Sequence, residues 1–209
     1  MAKRNTGSME SLSEQIAASG ETEVSASRLA LRTDLVDLRF LGREFLTWLV
    51  FFCDDEIEGG EFPGNQTVER FRVRVGERAV LRALGEASGE IAARGPLTGH
   101  SSDVRYAIAG GLTVRELDLI FERDDRLWMA TVLAECFDLK RVKLPELLSE
   151  EDSERANERL ELIGELYRML QAAFGFFLEQ RLSPGWPRNT VAAIRAWLKR
   201  SVVEAGQTA

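Results

Sequence analysis

Residues 70–75 read Arg-Phe-Arg-Val-Arg-Val, an unbroken alternation of charged and apolar side chains that suits an extended strand. Successive strand side chains point to opposite faces, so Phe71, Val73 and Val75 share one face and Arg70, Arg72 and Arg74 the other. A sheet built on such a strand buries one face and wets the other, as antiparallel sheets do. The neighbouring segments fit the same sheet. Gly76 and Glu77 mark a turn into a second run, RAVLRAL, and after Gly85 and Gly89 comes a third, EIAARG. Short runs punctuated by glycine predict an antiparallel meander. VRELDLIFE (114–122) and RLWMATVL (126–133) form a further pair of strands turned at Arg123-Asp124-Asp125, and LKRVKLP (139–145) closes the sheet at Pro145.

Helical periodicity flanks this block. Leu35, Leu38, Leu41, Phe45, Trp48, Leu49 and Phe52 recur at helical spacing and predict a core helix, with Phe45, Trp48, Leu49 and Phe52 buried. VRYAIAGG predicts a short helix with Ser101 as N-cap and Gly110-Gly111 as its stop. Residues 152–181 predict a long helix with Leu160, Ile163, Leu166, Tyr167, Leu170, Phe174, Phe177 and Leu178 on one face; a last helix, about 188–203, follows Pro184-Gly185-Trp186-Pro187. Strands grouped apart from long helices indicate an α+β fold, a mostly antiparallel sheet packed with long amphipathic helices.

The length, 209 residues, suits one domain with a tail. Residues 1–28 are rich in Ser, Glu, Gly and Ala and hold no aromatic residue; such a segment buries too little to offset its ordering entropy and is expected to be a flexible tail. Residues 29–205 are expected to form the single domain. The longest apolar run, Phe45 to Cys53, falls well short of the ~20 residues a membrane helix needs, and the N-terminus carries no secretory pattern. Cys53 and Cys136 sit in apolar segments, which predicts buried reduced thiols and a cytoplasmic protein.

Catalytic signals are weak. His100 is the one histidine, without a neighbouring Cys or Asp cluster, so neither a metal ligand nor a general base is expected there, and no metal or cofactor elsewhere. Nucleophile-elbow, zincin and phosphate-loop motifs are absent. Asp54, Glu56, Glu58 and Gly59 imitate the start of a calcium loop, but its twelfth position is Asn65, where a bidentate Glu is required; a solvated loop is expected. The main functional lead is cationic. Arg70, Arg72 and Arg74 form a row that Arg78 and Arg82 adjoin, and Lys140, Arg141 and Lys143 form a second cluster. Guanidinium groups suit bidentate phosphate contacts, although the bland role of such a row is a charged face that blunts a sheet edge. Arg188, Arg195, Lys199 and Arg200 make a third cluster on the last helix, where cations commonly just complement the helix dipole. The net charge of −7 opposes nucleic-acid binding overall, so local clustering has to supply it.

Phe40 to Phe52, FLGREFLTWLVFF, resembles the leucine-glycine helix of the recombination-associated RdgC family. The stretch GEASGEIAARGPLTGHSSDVRYAIAGGLTVRELDLIFE is similar to that family's strand, helix and glycine-marked strand, and LKRVKLP, an acidic linker and a long helix follow in the family's order. The likeness runs from about Leu35 to Leu182 and covers the family's C-terminal portion. It implies a non-enzymatic protein that binds double-stranded DNA without sequence preference, forms dimers, restrains RecA-promoted recombination and associates with the nucleoid. The DNA-contacting candidates would be Arg70, Arg72, Arg74, Arg78, Arg82, Lys140, Arg141 and Lys143. The family's N-terminal half has no counterpart here, so another protein chain is expected to supply it. The competing expectation is an adaptor that has lost DNA binding and assembles with proteins through apolar surfaces. Self-association is expected on either reading, because Phe176 and Trp197 look surplus to one core.

Overall fold

The computed structural model describes residues 38–54, 59–83, 89–95 and 101–207. The expected tail at 1–28, His100, Glu56 and Glu58 lie outside them. In chain order the elements are α1 (Leu38–Asp54), β1 (Gly60–Phe62), β2 (Phe71–Ala83), β3 (Glu90–Arg94), α2 (Ser102–Ala109), β4 (Leu112–Arg123), β5 (Arg126–Leu133), β6 (Leu139–Lys143), α3 (Asp152–Leu182) and α4 (Thr190–Gln207). The fold is α+β. All strand pairs are antiparallel in the order β1-β2-β4-β5-β6, with β3 beside β2. β1 and β3 share one edge of β2, the first against residues 71–73 and the second against 78–82.

Alternation decides the faces. Phe71, Val73, Ala79 and Leu81 of β2 and Leu117, Leu119 and Phe121 of β4 are buried in one cluster with Trp128, Ala130 and Val132 of β5. α1 lies in that core and ties itself to the sheet. Thr47 Oγ1 donates to the carbonyl of Arg43, 2.7 Å away, and accepts the Val114 N–H at 3.1 Å. A Cβ at Gly42 would stand 1.7 Å from the Ala134 carbonyl oxygen, so only glycine lets α1 come this close to the chain after β5. Trp48 stacks on Phe52 with ring centroids 4.7 Å apart and lies 5.4 Å from Phe177 of α3. Trp128 is fully buried, and its indole N–H donates to the Leu162 carbonyl of α3 at 3.1 Å, which satisfies the polar end of an otherwise apolar residue.

Five expectations need correction. Gly76-Glu77 is a bulge inside one 13-residue strand, with no turn. β2 carries two extra residues between Val75 and Ala79, an even number, so its apolar parity is unbroken and β4 pairs with both halves. The loop after α1 contains a strand, β1, whose three residues are too few to show a period. On α3 the buried stripe is Leu162, Leu166, Met169, Ala173 and Phe177, while Leu160 and Tyr167 are exposed; small Ala173 carries no apolar bulk to reveal this face in the sequence. Cys136 is exposed where Cys53 is buried, because it follows β5 in a surface turn. Finally, Phe176 and Trp197 are not surplus: Phe176 packs on Trp48, Phe52 and Phe62, and Trp197 is buried with its N–H donated to Asp54.

Candidate nucleic-acid interface

The face of the sheet opposite the core carries the charges. Registry puts Arg72 opposite Glu61 of β1 and Glu122 of β4, and Arg74 opposite Ile120. Glu116 and Asp118 continue the β4 row and face Leu133 and Thr131 of β5. Lys140 and Lys143 of β6 register with Thr131 and Met129 and so join the same face. Two sequence-distant clusters therefore meet across β4 and β5.

Carboxylates interleave with these cations. Arg70, which precedes β2, and Arg72 reach the two oxygens of Glu61 at 3.5 Å each, and Arg74 reaches Glu122 at 3.4 Å. Arg78 holds Glu116 at 3.1 Å, with Lys140 3.8 Å from its other oxygen. Arg82 sits across from Glu90 of β3. The tightest cluster is Arg141, Thr131 and Asp118. Thr131 Oγ1 donates to Asp118 Oδ1 at 2.6 Å and accepts from Arg141, whose Nη2 also lies 2.9 Å from the same carboxylate oxygen. Arg141 has a positive φ of 51° at the irregularity between β5 and β6, and this bulge aims its side chain inward over the sheet. Thr131 is 1% exposed beneath it, the one buried polar side chain among the described residues.

Pair distance divides the candidates. Arg70, Arg72, Arg74 and Lys140 make loose pairs at 3.4–3.8 Å. Surface pairs of this kind contribute about 0–1 kcal/mol, so an incoming phosphate can displace the carboxylate at little cost. Arg78 and Arg141 are held tighter and serve the sheet itself. The carboxylates are what sequence reasoning missed, although Glu116, Asp118 and Glu122 alternate with apolar residues along β4 and carry the same period-2 signal as the arginines.

Elsewhere, both ends of the calcium-like loop are occupied. Asp54 accepts from Trp197 and pairs with Arg105 at 3.8 Å; Asn65 Oδ1 accepts the Thr67 and Val68 N–H groups in a local turn. Among the described residues no group of three or more His, Cys, Asp or Glu is placed to hold a metal, and no helix is long and apolar enough to cross a membrane. Arg188, Arg195 and Lys199 are exposed, Arg188 just before α4 and the other two on it. Burial raises the Cys53 thiol to about 12, so it stays protonated and unreactive. Compared with known proteins, the chain matches no family model and no curated sequence.

Proposed function

We propose that the chain is a non-enzymatic, RdgC-like, cytoplasmic and nucleoid-associated protein that binds double-stranded DNA without sequence preference through the open face of its sheet. The observation that carries this reading is the meeting of Arg72 and Arg74 of β2 with Lys140, Arg141 and Lys143 of β6 on one solvent-facing surface of an acidic chain. Arginines and lysines on a regular sheet read no base edges, so their contacts would go to phosphates. The loose pairs with Glu61, Glu122 and Glu116 leave Arg70, Arg72, Arg74 and Lys140 exchangeable. The interleaved carboxylates lower affinity and make binding steeply dependent on salt.

The test is duplex binding by fluorescence anisotropy from roughly 50 mM salt upward, where electrostatic binding is strongest at the low end. Changing Arg70, Arg72 and Arg74 together to Ala removes up to three phosphate contacts. At ~0.9 per contact the log–log salt slope flattens by up to about three units, equally for all sequences. Wild-type protein that fails to bind duplex DNA at the low-salt end refutes the reading.

One observation favours an assembly role instead. The carboxylates sit among the cations, and Leu127 of β5, opposite Glu122, is exposed beside them. Mixed charge around apolar side chains resembles the rim and centre of a protein interface. Retention of protein partners by the wild type, lost on reversing Glu116 and Glu122 to Lys, together with no DNA binding, would favour the adaptor.

A further inference from the structure

α3 carries a second apolar stripe that its own core covers only in part, taking Leu170 and packing Phe174 on Phe45 and Phe137. Leu162, Leu166, Met169, Ala173 and Phe177 face inward. Leu160, Ile163, Tyr167, Leu170 and Phe174 form another row at alternating spacings of three and four, the seam by which one helix packs along another. Within that row Leu160 is 69% and Tyr167 47% exposed, Ile163 and Phe174 are half-buried, and Leu170 is buried between the two stripes. Beside the row runs a groove of about 350 Å³, lined by Tyr167, Leu170 and Phe174 of α3 and by Cys136 and Phe137 after β5. A surface helix needs one apolar stripe; a second, knob-spaced one marks a packing face.

We infer that this stripe pairs antiparallel with the same stripe of a second copy, across a two-fold axis at Tyr167. Three features select that occupant. The stripe is self-complementary about Tyr167, because Leu160 and Phe174 stand equally far from it, ~10 Å along the axis in each direction. A second copy therefore lays its Leu160 over the Phe174–Phe137 groove, and the first copy does the same in return, which is the reciprocity of an isologous contact. The charges also choose the direction. Asp152, Glu154, Glu158, Glu161 and Glu165 outnumber Arg155 and Arg159 in the first half of α3, and Arg168 and Arg181 outnumber Glu179 in the second. Parallel pairing would oppose two acidic halves, whereas antiparallel pairing sets each acidic half against one without acidic excess, its Arg181 already paired with Glu44, and aligns the helix dipoles favourably. The stripe spans about 20 Å of helix, a small interface, so the dimer forms in the micromolar range, roughly 10 μM. The inference is independent of DNA binding, since the stripe lies on α3 and the cations on the far face of the sheet.

Sedimentation equilibrium of the full chain from about 1 to 200 μM, bracketing that affinity, is expected to show a monomer–dimer transition. Leu160→Asp should weaken it more than tenfold while leaving the melting profile unchanged, because Leu160 is exposed in the monomer. A Tyr167→Cys variant in a Cys136→Ser background should form a symmetric disulfide under diamide, two thiols being oxidised to one disulfide as the diamide is reduced. Monomer throughout overturns the proposal. A dimer that Leu160→Asp leaves intact and that diamide does not cross-link at position 167 overturns it equally, by placing the interface elsewhere.

Discussion

The two faces of the sheet are made from alternate residues of the same strands, yet they are held by different physics. On the core face, Phe71, Val73, Leu119, Phe121 and Trp128 are almost fully buried against α1 and α3, and the Phe71 ring lies between those of Phe62 and Phe121. On the open face, Arg72, Arg74 and Lys140 lie over carboxylates at 3.4–3.8 Å in contact with water. Burial is proportional to apolar area and does not depend on the partner's identity. An ion pair in water is worth little and is exchangeable. The core face therefore specifies the fold, while the open face remains free to be specified by what binds it.

Substitutions of equal size should separate the faces. Trp48→Ala leaves a cavity between Phe52, Phe62 and Phe177 and is expected to cost about 3–5 kcal/mol in chemical denaturation. A loss under about 1 kcal/mol would mean that the core face is not the stabilising one. Thr131→Val tests the point where the open face is most core-like. Removing Oγ1 deprives Asp118 of a 2.6 Å hydrogen bond and Arg141 of one of its two acceptors, at a predicted cost of about 1–3 kcal/mol. If the variant is as stable as the wild type, Thr131 is only filling space. Arg72→Ala with Arg74→Ala should cost less than about 1 kcal/mol together, because both pairs are loose and partly wet.

That contrast also explains what could be read from the residues alone. The core strands and α1 were legible because burial imposes a period: Phe71, Val73 and Val75 alternate, and Phe45, Trp48 and Leu49 recur helically. β1 was not legible, since three residues hold no period, and its place is set by tertiary pairing with β2. The stripe of α3 was misplaced because two apolar rows share one helix and bulky members of the second, Leu160 and Tyr167, are exposed. For the charged face, the arginines were visible in β2, but the partners of Arg74 and Arg78 lay 38 or more residues away in β4. Period shows which side of a strand a carboxylate occupies, but only registry shows which arginine it meets. Arg141 was further hidden, as a bulge with positive φ turns it onto Thr131.

The smallest effect belongs to Glu158 on the exposed side of α3. Its two carboxylate oxygens accept the backbone N–H groups of Leu148 and Ser149 at 2.9–3.1 Å and so fasten the segment between β6 and α3 to the helix. These hydrogen bonds, Leu148 first, favour the charged form and lower the carboxyl below its ordinary value. A carboxylate lowered in the folded state adds stability that is complete above its unfolded value, and that stability is lost as pH falls through the folded one. Acidification should therefore release residues 148–149 before the core loosens. Amide exchange at Leu148 and Ser149 is expected to quicken as pH drops below about 4.5, relative to the intrinsic exchange rate at each pH, while exchange in β4 and β5 stays slow. Glu158→Gln should show fast exchange at those two amides at neutral pH and remove the acid step. Equal protection of both amides in the variant would mean that the segment is held by something other than this carboxylate.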